Sequence, residues 1–534
     1  MYCLLIRLIV SVSLNTAWLI IVLLTTSFYH CSCARNFIIM PTSATTSYQP
    51  AATFDPITIS SFKAYDIRGE LGVNLDEEIA YRIGRAFAQI LYQRYQAAAQ
   101  NQADDIATLK PAIVIGSDIR HSSEQLKQAV ITGMMDAGVD VIDLGMSGTE
   151  EVYFATSHYQ ALGGIEVTAS HNPINYNGLK LVKEHSKPIS ADDGLAEIQT
   201  LAESGQFTTD NQSGKLQLLT DKSAYIDHVM TFIDTDKLKP LKLIVNSGNG
   251  SAGPVVDLLI DKLVQADAPI EVIKLHHTPD GSFPNGIPNP MIEANRVATQ
   301  QAVLENNADL GIAFDGDFDR CFLFDEHGEF IDGSYIVGML AQAFLNKYPS
   351  ESIVYDPRVI YNTEAVIEEH NGKAVISKSG HSFIKQVMRN SGAVYGGEMS
   401  AHHYFRDFFY CDSGMIPWLL TIELLSITGK TLSELVTGYI AAYPSSGELN
   451  FRLTTHDAPA IISAIEEKFS LQGPIKSTLD GLSLNFGDWR FNLRASNTEP
   501  LIRLNIESRG DQPLLAAKTQ EIQQWLATQG AVPA

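Results

Sequence analysis

Cysteine is scarce in this chain, positive charge is outnumbered, and long apolar runs are all but absent. Five cysteines occur in 534 residues, and Cys3, Cys31 and Cys33 lie near the start. The other two, Cys321 and Cys411, exclude a disulfide framework and fit a reducing compartment. Lys and Arg number 38 against 61 Asp and Glu, a formal charge of -23. Phosphate backbones need a basic surface, so nucleic acid is excluded as a partner. A small phosphorylated ligand is not excluded, because a few focused arginines make a local positive site on an acidic body.

The one long apolar run, Leu8 to Leu24, follows Arg7. Its length of about 17 residues is the lower limit for a membrane helix. A single arginine before it and no small-residue cleavage site make a weak secretory signal. Residues 1–53 are expected to be an apolar leader and linker outside the fold, with translation from Met40 and a cytoplasmic location. The alternative is a membrane anchor through residues 8–24, and membrane contact only then.

What remains is an ordinary globular composition, 45% hydrophobic with 38 glycines, long enough for roughly three to four domains. Its centre is Thr168-Ala169-Ser170-His171-Asn172-Pro173. A short β-branched run before it reads as a buried strand, and Asn172-Pro173 stops that strand, so Ser170 sits on a loop. Lys180 follows on the next apolar run. The glycines that flank a hydrolase serine are replaced by Thr168 and Asn172, so phosphate suits Ser170 better than acyl chemistry. The plain alternative is a turn with a solvated serine.

In chain order, Arg68 precedes Gly69 in a short run, as a phosphate ligand or a surface turn. Asp76 to Tyr95 has helical periodicity. Pro111 to Ile115, Val139 to Leu144 and Gly164 to Val167 read as strands separated by helices, which makes an α/β layer with a mostly parallel sheet. Arg120 and Ser170 fall at carboxyl ends of strands, where such sheets bind ligands. Ala191 to Asp221 reads as polar and loop-rich, a plausible boundary. Leu241 to Val245 opens a second cycle, followed by Gly248-x-Gly250-x-x-Gly253. This matches a dinucleotide fingerprint on paper, and a dinucleotide-binding oxidoreductase is kept as the alternative of a different class. Glu271 argues against it by opening a strand instead of closing one.

Asp309 to Phe314 is a strand, and Asp315, Asp317 and Asp319 follow, with Arg320 closing the loop. Three carboxylates at alternate positions converge on a hard divalent cation, and Mg²⁺ is preferred because few protein ligands leave room for a phosphate oxygen. A calcium EF-hand is rejected, since Arg320 takes the place of the required glycine and strands flank the loop. Arg358 ends a later strand, His381 lies on a loop before a helix, and Glu398, Ser400 and His402 alternate. In an extended loop those three face one side and suit a hydroxyl-rich ligand. After residue 430 the pattern becomes α+β. Arg494, Ser496, Asn497 and Thr498 then form a turn, with Arg503 on the next strand: a non-reacting phosphate cradle, or a plain hairpin.

TASHNP, DGDFDR, GEMSAHHYF and RASNTEP occur in this order, and with them the sequence resembles the α-D-phosphohexomutase superfamily, within it the bacterial-type phosphomannomutases. The resemblance implies three similar α/β domains and a C-terminal α+β domain around a central cleft, expected at 54–205, 206–305, 306–430 and 431–534. It implies an isomerase that interconverts mannose 6-phosphate and mannose 1-phosphate through a phosphoserine, supplying GDP-mannose and polysaccharide precursors. Glucose phosphates are the alternative substrate pair. Ser170 is implied as the phosphoserine, and Asp315, Asp317 and Asp319 as the holders of one Mg²⁺ against it. Glu398 and Ser400 are implied at the sugar's 3- and 4-hydroxyls, and Arg494, Ser496, Asn497 and Thr498 at the distal phosphate. Arg68, Lys180, Arg320, Arg358, His381 and His402 match positive or proton-transferring positions, with Lys180 and His402 favoured as proton donor and acceptor. Hexose 1,6-bisphosphate is the implied intermediate and activator. Partners are small hexose phosphates, in a monomer or a dimer. Met399 and His402 to Phe405 favour mannose or glucose over N-acetylated or amino sugars.

Overall fold

One strand order occurs three times along the chain. The computed structural model describes residues 48–50, 53–63, 66–101, 105–190, 193–208, 212–454, 457–496 and 501–534. Met1–Thr46 forms a separate unit, of which only the paired Ser13–Leu14 and Ala17–Trp18 are described. In Ser47–Ala534 the first sheet runs Leu216–Leu218, Asp140–Met146, Lys110–Ser117, Ala161–Val167, Tyr176–Lys183, Ile67–Glu70. The second runs Ile270–Leu275, Leu241–Asn246, Leu310–Phe314, Cys321–Phe324, and the third Lys373–Ile376, Ser352–Tyr355, Tyr395–Gly397, His403–Phe405, Cys411–Asp412.

In each, the chain lays down a middle strand, crosses to one side, crosses back to the other, and then reverses into an antiparallel neighbour. Parallel pairing demands crossovers that cover both faces. The strands are accordingly continuous apolar runs such as Ile113 to Ile115 and Leu243 to Val245, all buried. The reversal falls at the carboxyl end of the third strand every time, at residues 168–175, 315–320 and 398–402. These are the three stretches singled out in the sequence.

Two expectations need correction. Leu310–Phe314 pairs in parallel with Leu241–Asn246, Leu243 opposite Leu310. The aspartate loop therefore completes the second sheet instead of opening a third domain at 306. The stretch from Ala191 to Asp221 is not simply loop. It holds the helix Leu195–Ser204, with Leu195, Ile198 and Ala202 buried in the same core as the helix Glu77–Asn101. Three apolar residues among polar neighbours are too thin a stripe to stand out in the sequence.

The helix Met415–Thr428 is apolar nearly all round and buried from Met415 to Ile422, as a helix packed on several sides must be; its last turn reaches solvent, with Ile427 exposed. Its Trp418 is buried, and the surrounding core joins Leu243 and Ile312 of the second sheet to Tyr395 and Phe405 of the third. Gly429, at φ 67°, ends it. The C-terminal sheet is antiparallel throughout, in the order Ile475–Ser477, Leu482–Asn485, Trp489–Ala495, Leu501–Ser508, Ser445–Leu453, Ala531–Pro533. The helices Ala458–Ser470 and Gln512–Thr528 pack on its core. The fold is thus three α/β units followed by an α+β unit, as expected.

Candidate active site

The turn after Ala161–Val167 holds Ser170 in a conformation that side chains rarely adopt, at φ 50° and buried. Such a residue persists only where its surroundings over-determine it. Here its N–H donates to Thr168 Oγ1 at 2.8 Å, and Arg120 Nη2 donates to its carbonyl at 2.7 Å. Arg120 also reaches the carbonyls of Asn172 at 2.6 Å and Pro173 at 2.9 Å. Thr168 is in turn fixed by Asp118, 2.7 Å away. Arg68 donates to Asn172 Oδ1 at 2.8 Å and pairs with Asp66 at 2.9 Å, so it braces the far side of the turn. The backbone of the next loop approaches so closely that a Cβ on Gly316 would sit 2.7 Å from the Ser170 carbonyl.

Ser170 Oγ donates to Asp315 Oδ2 at 2.8 Å, accepts from Arg320 Nη2 at 3.2 Å and lies 3.1 Å from His171 Nδ1. Arg320 is paired with Asp315 at 2.6 Å and also donates to His171. Burial and the charges of Arg320 and Arg68 hold the imidazole of His171 well below its ordinary pKa. Asp317 accepts from Thr149 Oγ1 at 2.5 Å. Lys180 Nζ bridges Asp317 at 2.6 Å and Asp319 at 2.5 Å. Burial alone would lower the ammonium's pKa, but Asp317, Asp319 and Asp315 overcome it and hold the pKa above its ordinary value. In this state Lys180 is a fixed charge or a proton donor, not a base.

The aspartates fit a hard cation. One carboxylate oxygen from each comes within 4.8 Å of the others, and Oδ1 of all three is buried with no donor among the described residues. Three acceptors without donors are unfavourable unless a cation joins them. Burial, and repulsion by Asp319 and Asp317 that Arg320 only partly offsets, push Asp315 up to about 6.

The third turn differs from the expected extended loop. Gly397 pairs with His403, so the chain must reverse within five residues. It does so through Glu398 N–H donating to the His402 carbonyl at 2.9 Å and Ala401 at φ 69°. The three polar side chains still converge: His402 Nδ1 is 3.1 Å from Ser400 Oγ and 3.7 Å from Glu398, and its Nε2 is 3.6 Å from Asp319. Burial opposes charge on His402, but Asp319 and Glu398 raise its pKa. His381 opens the helix His381–Ser391, and burial, then Lys385, Lys180 and His402, hold it well below its ordinary value.

Arg358 is gripped by Asp356 through two hydrogen bonds, 2.9 and 2.8 Å, and lies 3.3 Å from Ser400 Oγ and 3.6 Å from Glu398. It also approaches Glu448 at 3.8 Å, which accepts from Arg494 at 2.8 Å and from Arg503 at 3.3 Å. Ser496 Oγ is 3.5 Å from Arg503. Asn497 and Thr498 lie outside the described residues. A chain of polar and charged side chains therefore runs from Ser170 through Arg320, Asp319, His402, Glu398, Arg358 and Glu448 to Arg494. Thr149 and Glu448 sit in no motif and carry no signal in the sequence. Asp118 and Asp356 do carry one, a carboxylate two residues before Arg120 and Arg358 at a strand end.

The glycine fingerprint has a structural explanation. An added Cβ on Gly250 would lie 2.7 Å from the Gly316 carbonyl, and one on Gly253 would lie 2.1 Å from that of His277. The chain itself fills the space a pyrophosphate would need, so the dinucleotide alternative falls.

Four family models for phosphoglucomutase/phosphomannomutase match in order: the alpha/beta/alpha domains I, II and III at residues 60–209, 223–328 and 332–443, and the C-terminal domain at 448–524. A phosphomannomutase of Salmonella montevideo is 55% identical over 470 residues, 88% of this chain and 99% of its own. One from Escherichia coli K12 is 53% identical over 466 residues, 87% of this chain and 98% of its own. A solved phosphoglucomutase/phosphomannomutase family protein from Burkholderia thailandensis superposes with TM-score 0.76 at 31% identity, over 89% of this chain and 98% of that one. Three repeated α/β units, each reversing at a polar loop, and a fourth unit bearing Arg494 and Arg503 are what these matches span, and the chain belongs to the phosphoglucomutase/phosphomannomutase family.

Proposed function

We infer that this chain is a phosphomannomutase that interconverts mannose 6-phosphate and mannose 1-phosphate and so supplies GDP-mannose and polysaccharide precursors. Identity above half to named phosphomannomutases over nearly their whole length supports the activity. The mechanism rests on one observation: a buried seryl oxygen, held in a left-handed turn, in hydrogen bond to Asp315 and Arg320.

In this reading phospho-Ser170 gives its phosphoryl group to one end of the sugar phosphate, and the 1,6-bisphosphate turns end for end before the other phosphate returns to Ser170. Asp315, Asp317 and Asp319 would hold Mg²⁺ beside the seryl oxygen, where it supplies charge neutralisation. The chain's own part is orientation and a fixed field, which phosphoryl transfer needs most. Arg120 and Thr168 fix the nucleophile's turn, and Arg320 donates to the seryl oxygen. His402, between Asp319 and Glu398, is placed to carry a proton at the sugar hydroxyl, and His381, Lys180 and Arg68 complete the walls. Glu398, Ser400 and Arg358 take the sugar's 3- and 4-hydroxyls, and Arg494, Ser496, Asn497 and Thr498 hold the distal phosphate. Hexose 1,6-bisphosphate is the proposed activator, because it rephosphorylates an empty Ser170.

Glucose phosphates are a second substrate pair. A relative from Xanthomonas campestris pv. campestris, 50% identical over 466 residues, is named for phosphohexose mutases. The two sugars share the 3- and 4-hydroxyls that Glu398 and Ser400 are proposed to hold. No described helix is long and apolar enough to cross a membrane; a cytoplasmic location is proposed from the cysteine usage. Phosphopeptide mapping of the active protein, with transfer of labelled phosphate from protein to hexose, tests the mechanism. Absence of phosphate on Ser170 in turning-over enzyme would remove its basis.

A further inference from the structure

Glu448 belongs to no motif and has no part in the mechanism above, yet it is an acid shared by arginines of two units. It lies where the pairing of Ser445–Leu453 with its neighbour slips register. Its side chain is only 9% exposed, and three guanidiniums converge on it. Arg494 donates to Oε2 at 2.8 Å, Arg503 to Oε1 at 3.3 Å, and Arg358, from the third sheet's unit, stands 3.8 Å from Oε2. Burial would raise its pKa, but the three arginines hold it below the usual carboxylate range. Arg494 Nε, also buried, has no acceptor among the described residues.

Guanidiniums this close repel one another, and buried without an anion they are costly. A carboxylate answers that need in the absence of ligand. It is also the group most like a phosphate in how it meets an arginine fork. We propose that Glu448 is a resident competitor for the distal phosphate, occupying Arg494 and Arg503 until a phosphate monoester displaces it and retaking them when the phosphate leaves. The proposal rests on the reading of Arg494 and Ser496 as the distal-phosphate cradle. Its consequence is a grip weakened on purpose of turnover. A bisphosphate that must release this end and turn round gains nothing from tight holding, since uniform binding does not raise kcat.

The test is calorimetric titration of the full-length protein with inorganic phosphate, without added Mg²⁺, in parent, Glu448→Gln, Glu448→Asp and Arg494→Gln proteins. Glu448→Gln should bind phosphate about tenfold more tightly, the opposite sign to loss of a structural ion pair. With mannose 1-phosphate its KM and kcat should fall together. Glu448→Asp, which draws the carboxylate back by one methylene, should lie between the two, and it carries the same test where Glu448→Gln does not fold. Phosphate binding in the Glu448 variants no tighter than the parent's, beside loss of binding in Arg494→Gln, overturns the proposal alone. Undiminished phosphate binding in Arg494→Gln overturns the cradle reading, and the proposal with it.

Discussion

The turn at Ser170 and the turn after Arg494 are both read as phosphate sites, and they are built in opposite ways. Around Ser170 the backbone N–H, the carbonyl and the hydroxyl are each fixed by a different side chain: Thr168, Arg120, and Asp315 with Arg320. Those partners stand at the ends of buried strands in two sheets. At the other end, Arg494 and Arg503, long side chains on two paired antiparallel strands, share a single carboxylate, Glu448, from a third strand. A nucleophile for in-line transfer has to be held within a fraction of an ångström. A grip that must accept either phosphate of a bisphosphate needs partners that can be exchanged. On the proposed roles, rigidity stands where a bond would be made, and exchangeable charge where a group would only be held.

Substitutions at the two ends should therefore fail differently. The largest loss is expected for Ser170→Ala, which removes the nucleophile but little binding surface. Turnover should fall by at least about 10⁴-fold, with hexose phosphate affinity within about threefold of the parent. A coupled assay and calorimetry measure both, and retained turnover would take Ser170 out of its role. Next comes Asp317→Asn, which removes the charge of one of the two carboxylates that hold Lys180 and alters the acceptor of Thr149. A rate loss of about 10²- to 10³-fold is expected, with the Mg²⁺ titration shifted to higher concentration. An unshifted titration would separate the aspartates from the metal. Arg494→Gln should spare the chemistry, raising KM about ten- to a hundredfold while kcat changes less than tenfold. If kcat instead collapsed with KM unchanged, the contrast between the two ends would be wrong.

Much of the reacting end was legible in the sequence because its residues come in short runs at strand ends. Asp315, Asp317 and Asp319 alternate on one loop, and Ser170 sits between a β-branched run and Asn172-Pro173. Strand order is not legible there, because pairing partners leave no mark on a buried parallel strand, and the membership of Leu310–Phe314 in the second sheet emerges only from its pairing with Leu241–Asn246. Alternation at Glu398, Ser400 and His402 predicts an extended loop and does not reveal the left-handed Ala401 that makes it a turn. Glu448 and Thr149 were invisible for another reason. Each acts on a residue more than 40 positions away, Arg494 and Asp317 respectively, and a single polar residue at a strand or helix start carries no local signature.

Behind both ends lie the contacts that pin the units together, and these differ too. The C-terminal unit is tied by an ion pair, Arg490 with Glu507 at 2.6 Å, whose members also hold the backbone of residues 357–361. Under the reacting end the tie is a lone acid. Glu150 accepts from Tyr225 at 2.5 Å, Ser413 at 2.9 Å, Gly414 N–H at 2.6 Å and Met415 N–H at 3.2 Å, joining the first unit to the helix Met415–Thr428. Burial pushes it up to about 8 even against these four donors. In the unfolded chain a glutamate titrates near about 4.3, so between the two values the unfolded state has lost a proton that the folded state keeps. Stability from this group is then full below about 4.3, falls by up to about 1.4 kcal/mol per pH unit as pH rises, and levels off above the folded-state value. Glu150→Gln cannot titrate, so urea midpoints measured from pH 5 to 8 should shift steadily in the variant's favour relative to the parent, while kcat changes by less than about twofold. A difference that stays constant across that range would mean that the carboxylate is ionised throughout, kept so by its four donors and the positive end of the helix it caps.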